Sequence, residues 1–151
     1  MRVAIIGAGI VGNSVAWHLT ERGADVVIHD PAGGCSKMSA RASGGFRHQF
    51  SSPVNMEFSK YSYTVLRSFE MDFDTDPDFR ENGYLFLVDS PDDLRLFEDR
   101  SAVQRQHGID TRRMEPGELK EEYPELETDD LLAGFYHDKD AIFQPQEVCQ
   151  G

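Results

Sequence analysis

The chain opens on an apolar run, Arg2-Val3-Ala4-Ile5-Ile6, short enough for a strand covered on both faces. Residues 10–22 follow with Val11, Val15 and Leu19 at four-residue spacing, which predicts a helix that buries this stripe and stops at Gly23. Val26-Val27-Ile28 predicts a second strand. Pro53 then opens a helical segment in which Phe58, Tyr61, Val65 and Phe69 recur every three or four residues, the expected core face. Residues 83–88 read as a strand, and Ser90-Pro91 as the N-cap and first turn of a helix ending near His107 at Gly108. A weaker strand at 111–114, a short helix at 118–122 and a strand at 131–136 come next, and Gly134 marks a bulge or a close approach. Beyond Ile142-Phe143-Gln144, Pro145 starts another helical turn.

Between the first strand and helix lies Gly7-Ala8-Gly9-Ile10-Val11-Gly12, a GxGxxG turn in the context its chemistry requires. Gly7 suits the tight turn, Gly9 the approach of a pyrophosphate, and Gly12 close packing of helix on strand. Ile10 and Val11 open the helix, whose free N–H groups and positive dipole end favour an anion. Asp30 closes the second strand, where a carboxylate accepts hydrogen bonds from a ribose. These features predict an adenine-dinucleotide site. Residues 31–52 are rich in Gly, Ser and Arg. Following the ribose-binding acid directly, they read as a ligand-wrapping loop rather than a tether, with Ser39, Arg41, Ser43, Gly44, Gly45 and Arg47 as candidate contacts.

Composition narrows the partners. The net charge is −12, with seven Lys or Arg against four Asp or Glu in residues 1–69, and eight against twenty-three in residues 70–151. So acidic a second part argues against nucleic acid. Cys35 and Cys149 lack CxxC or ligand spacing, which favours neither a metal site nor a disulfide framework. Asp72 to Asp78 form an acidic stretch broken by Pro77, without the glycine and distal glutamate of a calcium loop. No apolar run approaches the length of a membrane span, and the first strand starts at residue 2, so a cytoplasmic protein is expected.

With its nucleotide unit, the segment SGGFRHQF, the strand context FRENGYLFL and QRQHGID followed by MEPGELKEEYPEL, the whole chain resembles the N-terminal part of the FAD-dependent amine oxidoreductases. That family includes D-amino-acid oxidase, glycine oxidase, sarcosine oxidase and dimethylglycine dehydrogenase. The pattern is most similar to a sarcosine-oxidase-like branch that also holds a mitochondrial FAD-dependent protein linked to respiratory-complex assembly. The resemblance implies an α/β fold: a Rossmann-like FAD-binding βαβ unit with the beginning of an inserted α+β substrate domain, truncated relative to the family. The expected divisions are 1–78 for the N-terminal part of the FAD domain, 79–144 for a substrate-domain segment and 145–151 for the return to the FAD domain.

The resemblance implies FAD as cofactor, with Gly7, Gly9 and Gly12 at the pyrophosphate, flanked by Ile10 and Val11, and Asp30 at the adenosine ribose. Ser39, Arg41, Ser43, Gly44 and Gly45 would line the flavin side. Arg47 falls where sarcosine oxidase has an arginine for the substrate carboxylate, and His48 beside it is a weaker candidate for a substrate contact or a base. No residue stands out as a firm catalytic group, and none as a metal ligand. The implied activity is oxidation of the C–N bond of an amino acid or secondary amine by hydride transfer to flavin. A non-catalytic remnant or an assembly factor is the alternative, and an NAD-dependent dehydrogenase is the weaker third reading. Relatives continue past the position of Gly151, so association through unpaired strand edges, or with a C-terminal half, is also expected.

Overall fold

The computed structural model describes residues 1–150. The elements run β1 (Arg2–Ile6), α1 (Ile10–Thr20), β2 (Asp25–His29), α2 (Met38–Arg41), β3 (Gly45–Phe46), α3 (Pro53–Phe73), β4 (Tyr84–Val88), α4 (Pro91–Gln106), β5 (Arg112–Met114), α5 (Pro116–Glu122), β6 (Ala133–His137), β7 (Ala141–Ile142) and α6 (Pro145–Gln150). The α/β class implied by the sequence is the observed one. Two compact units emerge: residues 1–45, 65–79 and 143–151, and residues 46–64 with 80–142. Residues 46–64 thus group with the later strands, and α3 runs from the second unit into the first.

In the first unit β1 and β2 pair in parallel, Val3 opposite Val26 and Ile5 opposite Ile28, and α1 makes the connection between them. Parallel neighbours cannot be joined by a hairpin, so the apolar runs at either end and the helix between them dictate this βαβ unit. Gly23 ends the connection with φ +78°, a left-handed conformation that glycine adopts without a Cβ penalty. Trp17 of α1 meets Phe73 of α3 edge to face at 5.2 Å.

The expected burial of Val11, Val15 and Leu19 does not hold. Val11 is 74% and Val15 44% exposed, and no residue of α1 is fully buried. Gly12 takes the position against the β1–turn junction instead, with Ile5 beneath it. The sheet of this unit has two strands among the described residues, so side chains that reach over the free edge of β1 have no third strand beneath them.

In the second unit, β6 lies between β4 and β5 in an antiparallel sheet. Val88, Ala133 and Phe135 form its buried centre, and Phe86 of the sheet and Leu94 and Phe97 of α4 pack against them. Ser90 caps α4, its hydroxyl accepting the Asp93 N–H at 3.1 Å. Gly134 is a close approach rather than a bulge. A Cβ there would lie 2.8 Å from a methyl of Leu119 and 2.9 Å from one of Leu85, while β6 pairs without interruption.

Helix α3 corrects a second expectation. Its buried residues are Met56, Ser59, Leu66 and Phe69, while Phe58 is 67% and Tyr61 56% exposed. Phe69 is buried as expected; Phe58, two residues or just over half a turn from Met56, points to the other side of the helix, and Tyr61 falls on that same exposed side. Counting aromatics favoured the side that the structure leaves open.

Candidate cofactor and substrate sites

The glycine turn shows why its residue types are needed. Gly7 has φ +106°, and a Cβ on Gly12 would sit 1.9 Å from the Gly7 carbonyl oxygen. The backbone at Gly9 is open except for the hydroxyl of Ser39, 3.1 Å from where a Cβ would stand. Gly9 caps α1 without a side-chain hydrogen bond, and the first turn holds no acid. The first turn of the helix thus contributes no acid of its own to compete with an anion. A cavity of ≈ 420 Å³ lies between this turn, Ser39 and the apolar side chains of Ile5, Ile6, Val11 and Val15.

Two side chains from later in the chain hold the turn. Asp30 accepts the Ala8 N–H at 2.9 Å and the Ala32 N–H at 2.9 Å. These backbone donors hold its carboxyl below the usual aspartate value, with a small further contribution from Lys37. Two of roughly four acceptor positions are thus occupied, leaving lone pairs for ribose hydroxyls. Ser39, expected on the flavin side, stands at the helix N-terminus, its hydroxyl accepting the Ile10 N–H at 3.1 Å. The hydroxyl thus lies beside the helix N-terminus, where an anion would be held.

The remaining loop residues are more dispersed. Arg41 and Ser43 are exposed, as is Gly45. Gly44 is buried with φ +74°, and a Cβ would lie 1.9 Å from the Phe143 carbonyl oxygen. Its missing side chain lets the two segments meet, with the Phe143 N–H donating to the Gly44 carbonyl at 2.9 Å. Cys35 and Cys149, unrelated by spacing, also come together here. The Cys149 thiol is pushed up to about 12, first by burial and then by Cys35 beside it. Cys35 is tied to the turn through its N–H, which donates to the Ala8 carbonyl at 2.8 Å.

Arg47 and His48 belong to the second unit. The Arg47 guanidinium lies 5.2 Å from the ring centre of Phe86 and 5.6 Å from those of Phe50 and Tyr84. It is half-buried, and among the described residues no carboxylate pairs with it. His48 is buried, with its backbone N–H donating to Asp140 Oδ1 at 2.6 Å and its ring Nδ1 3.2 Å from the same oxygen. Gln49 donates from Nε2 to Asp140 Oδ2 at 2.9 Å and to the Tyr84 carbonyl at 3.0 Å. His137 completes the cluster, its ring 5.1 Å from that of His48 and its Nδ1 3.1 Å from the Asp110 carbonyl.

His48, His137 and Asp140 bring potential metal-ligand atoms within 4.8 Å of one another. Asp140, however, already has both oxygens engaged by N–H donors, which satisfies the carboxylate by hydrogen bonding. Sequence reasoning missed Gln49, His137 and Asp140. Asp140 lies 92 residues from His48, and no local spacing signals such a contact.

The matching family model, FAD dependent oxidoreductase (DAO), spans residues 2–151. The chain belongs to this FAD-dependent oxidoreductase family, whose members are flavoproteins. It is 34% identical over 158 residues to the FAD-dependent oxidoreductase domain-containing protein 1 of Xenopus laevis, covering 95% of this chain and 31% of that protein. The mitochondrial pyruvate dehydrogenase phosphatase regulatory subunit of Mus musculus is 26% identical, over 98% of this chain and 17% of its own length. Among solved structures, L-proline dehydrogenase from P. horikoshii superposes with a TM-score of 0.89 at 27% identity, covering 99% of this chain and 39% of that one. The chain thus spans about a third of the length of the first curated relatives it matches.

The glycine cradle fits the ADP part of FAD: it has an open backbone at Gly9, a helix end without acids, and a carboxylate with free lone pairs at Asp30.

Proposed function

We propose that this chain contributes to an FAD-dependent oxidoreductase that oxidises the C–N bond of an amino acid or secondary amine. Gly7, Gly9, Ile10, Val11 and Gly12 would hold the pyrophosphate, Asp30 the ribose, and Ser39 a phosphate oxygen. Arg41, Ser43, Gly44 and Gly45 would serve the flavin side. When bound, the flavin supplies a hydride acceptor, and the imine left on the substrate is hydrolysed by water.

One observation carries the substrate reading: Arg47 is a half-buried guanidinium held over three rings with no carboxylate partner among the described residues. A planar guanidinium grips a carboxylate through two parallel hydrogen bonds, and the rings beside it suit the apolar part of an amino acid. His48 would act at this site chiefly through its neighbours, since its ring is turned to Asp140. Similarity to a dehydrogenase whose name specifies proline, a secondary amine, supports this chemistry.

Anaerobic mixing of the FAD-loaded protein with a panel of N-methyl and α-amino acids tests the proposal. Bleaching of the flavin absorbance by at least one member is expected. No bleaching by any of them, with FAD demonstrably bound, overturns it. That result would favour the second reading, a non-catalytic interaction factor, which similarity to a phosphatase regulatory subunit supports.

A further inference from the structure

We infer that Asp140 is a positioning residue for Arg47, acting through His48 and Gln49. This rests on the proposed role of Arg47 as the carboxylate contact. Asp140 is fully buried, yet it does not pair with the guanidinium. Its carboxylate is spent on the two residues that follow Arg47. One oxygen takes the His48 backbone N–H at 2.6 Å and faces the His48 ring at 3.2 Å. Because a carboxylate offers only lone pairs, this geometry places the ring proton on Nδ1. The other oxygen takes the Gln49 amide at 2.9 Å.

The same Gln49 nitrogen donates to the carbonyl of Tyr84, whose ring is one of the three facing the guanidinium. Asp140 therefore links the backbone just after Arg47 to the strand that carries two of its aromatic neighbours, Tyr84 and Phe86. The rings attract a cation but give it little direction, since a π face tolerates sliding. The hydrogen bonds supply the missing constraint by fixing where the side chain leaves the backbone. A guanidinium held in place before binding loses less freedom when it takes a carboxylate. The carboxylate at position 140 is needed because it can accept all three donors. An asparagine of the same shape would turn an N–H₂ group towards one of them.

The test uses the ¹⁵N-arginine-labelled 151-residue chain, with benzoate as a carboxylate probe and benzamide as its uncharged control. Arg47→Ala is expected to weaken benzoate about ten- to hundredfold, the range for a charge-assisted contact. Asp140→Asn should weaken it about tenfold in the presence of Arg47, the lower end of the range for loss of an orienting partner. In the Arg47→Ala background Asp140→Asn should cost nothing further.

Without any ligand, the order parameter of the Arg47 Nε–H should fall from about 0.8 to below about 0.6 in Asp140→Asn. His48→Asn, whose amide can stand in for Nδ1, should preserve both readouts better than His48→Ala. Unchanged affinity and an unchanged order parameter in Asp140→Asn, with only a lower melting temperature, would overturn the inference. Should benzoate bind nowhere near Arg47, the carboxylate reading fails. The order parameter then decides the positioning role by itself: a fall supports it and no change overturns it. Should Asp140→Asn not fold, Gln49→Leu is judged by the same two readouts.

Discussion

Replacing Gly12 with alanine places a methyl group 1.9 Å from the carbonyl oxygen of Gly7. Real Cβ atoms essentially never come within 3.0 Å, so the turn and the helix must part by more than about 1 Å. The obstacle is backbone, and no rotamer change relieves it. An overpacked contact of this kind costs about 1–3 kcal/mol, which for a chain of this size lowers the melting temperature by about 2–4 °C per kcal/mol. The larger effect should fall on FAD, because the displaced segment carries the N–H groups proposed to meet the pyrophosphate. At a hundredfold excess over Kd, FAD should stabilise the unsubstituted protein by about 2.7 kcal/mol. Thermal unfolding with and without FAD should show this gain in the parent and lose most of it in Gly12→Ala. Gly134→Ala is the control, since its Cβ meets only side-chain methyls of Leu119 and Leu85 in the other unit. A Gly12→Ala protein that gains as much from FAD as the parent would refute the reasoning.

Three further outcomes follow from individual contacts. Asp30 has its native pKa depressed by the Ala8 and Ala32 N–H groups. Its contribution to stability is present above the unfolded aspartate pKa and lost as pH falls through the lower native value. The urea midpoints of the parent and Asp30→Asn should therefore differ most at neutral pH and converge in acid; a constant gap would contradict this. Ser90→Ala removes the cap of α4 and should cost about 0.5–2 kcal/mol in urea unfolding, with Ser90→Gly less harmful. The Cys149 thiol, pushed up to about 12, should react with iodoacetamide at pH 8 at least about a hundredfold more slowly in the native than in the unfolded protein. Equal labelling rates would show that the thiol is not shielded.

The first thirty residues were legible because their signals are local. Strand, glycine turn, helix and terminal acid each follow from neighbours a few positions apart, and the observed β1, α1 and β2 lie within two residues of the expected ends. The cap at Ser90 and the stop at Gly108, with φ +77°, were legible for the same reason. Periodicity was less informative where two helix faces both carry apolar residues. On α3 it selected Phe58 and Tyr61 over the buried Met56 and Leu66, and on α1 it selected Val11 and Val15 over the face carrying Gly12.

The cluster around Arg47 and His48 was half legible. Arg47 and His48 were singled out by the resemblance, but Asp140 reaches them across 92 positions of sequence. Only the fold makes that contact. Ser39 was singled out as a candidate contact on the flavin side, but its place beside Ile10 depends on a contact spanning 29 positions. The approach of Cys35 and Cys149 was invisible for the same reason.

A competitive titration tests most directly that the Gly7–Gly12 turn and Asp30 hold the ADP half of FAD. FAD binding is followed by flavin fluorescence, and ADP and FMN are then added separately as competitors. ADP, which carries the adenosine and pyrophosphate, should displace FAD, while FMN, which lacks the adenosine half, should not. Displacement by FMN but not by ADP, or no FAD binding at all, would contradict the assignment.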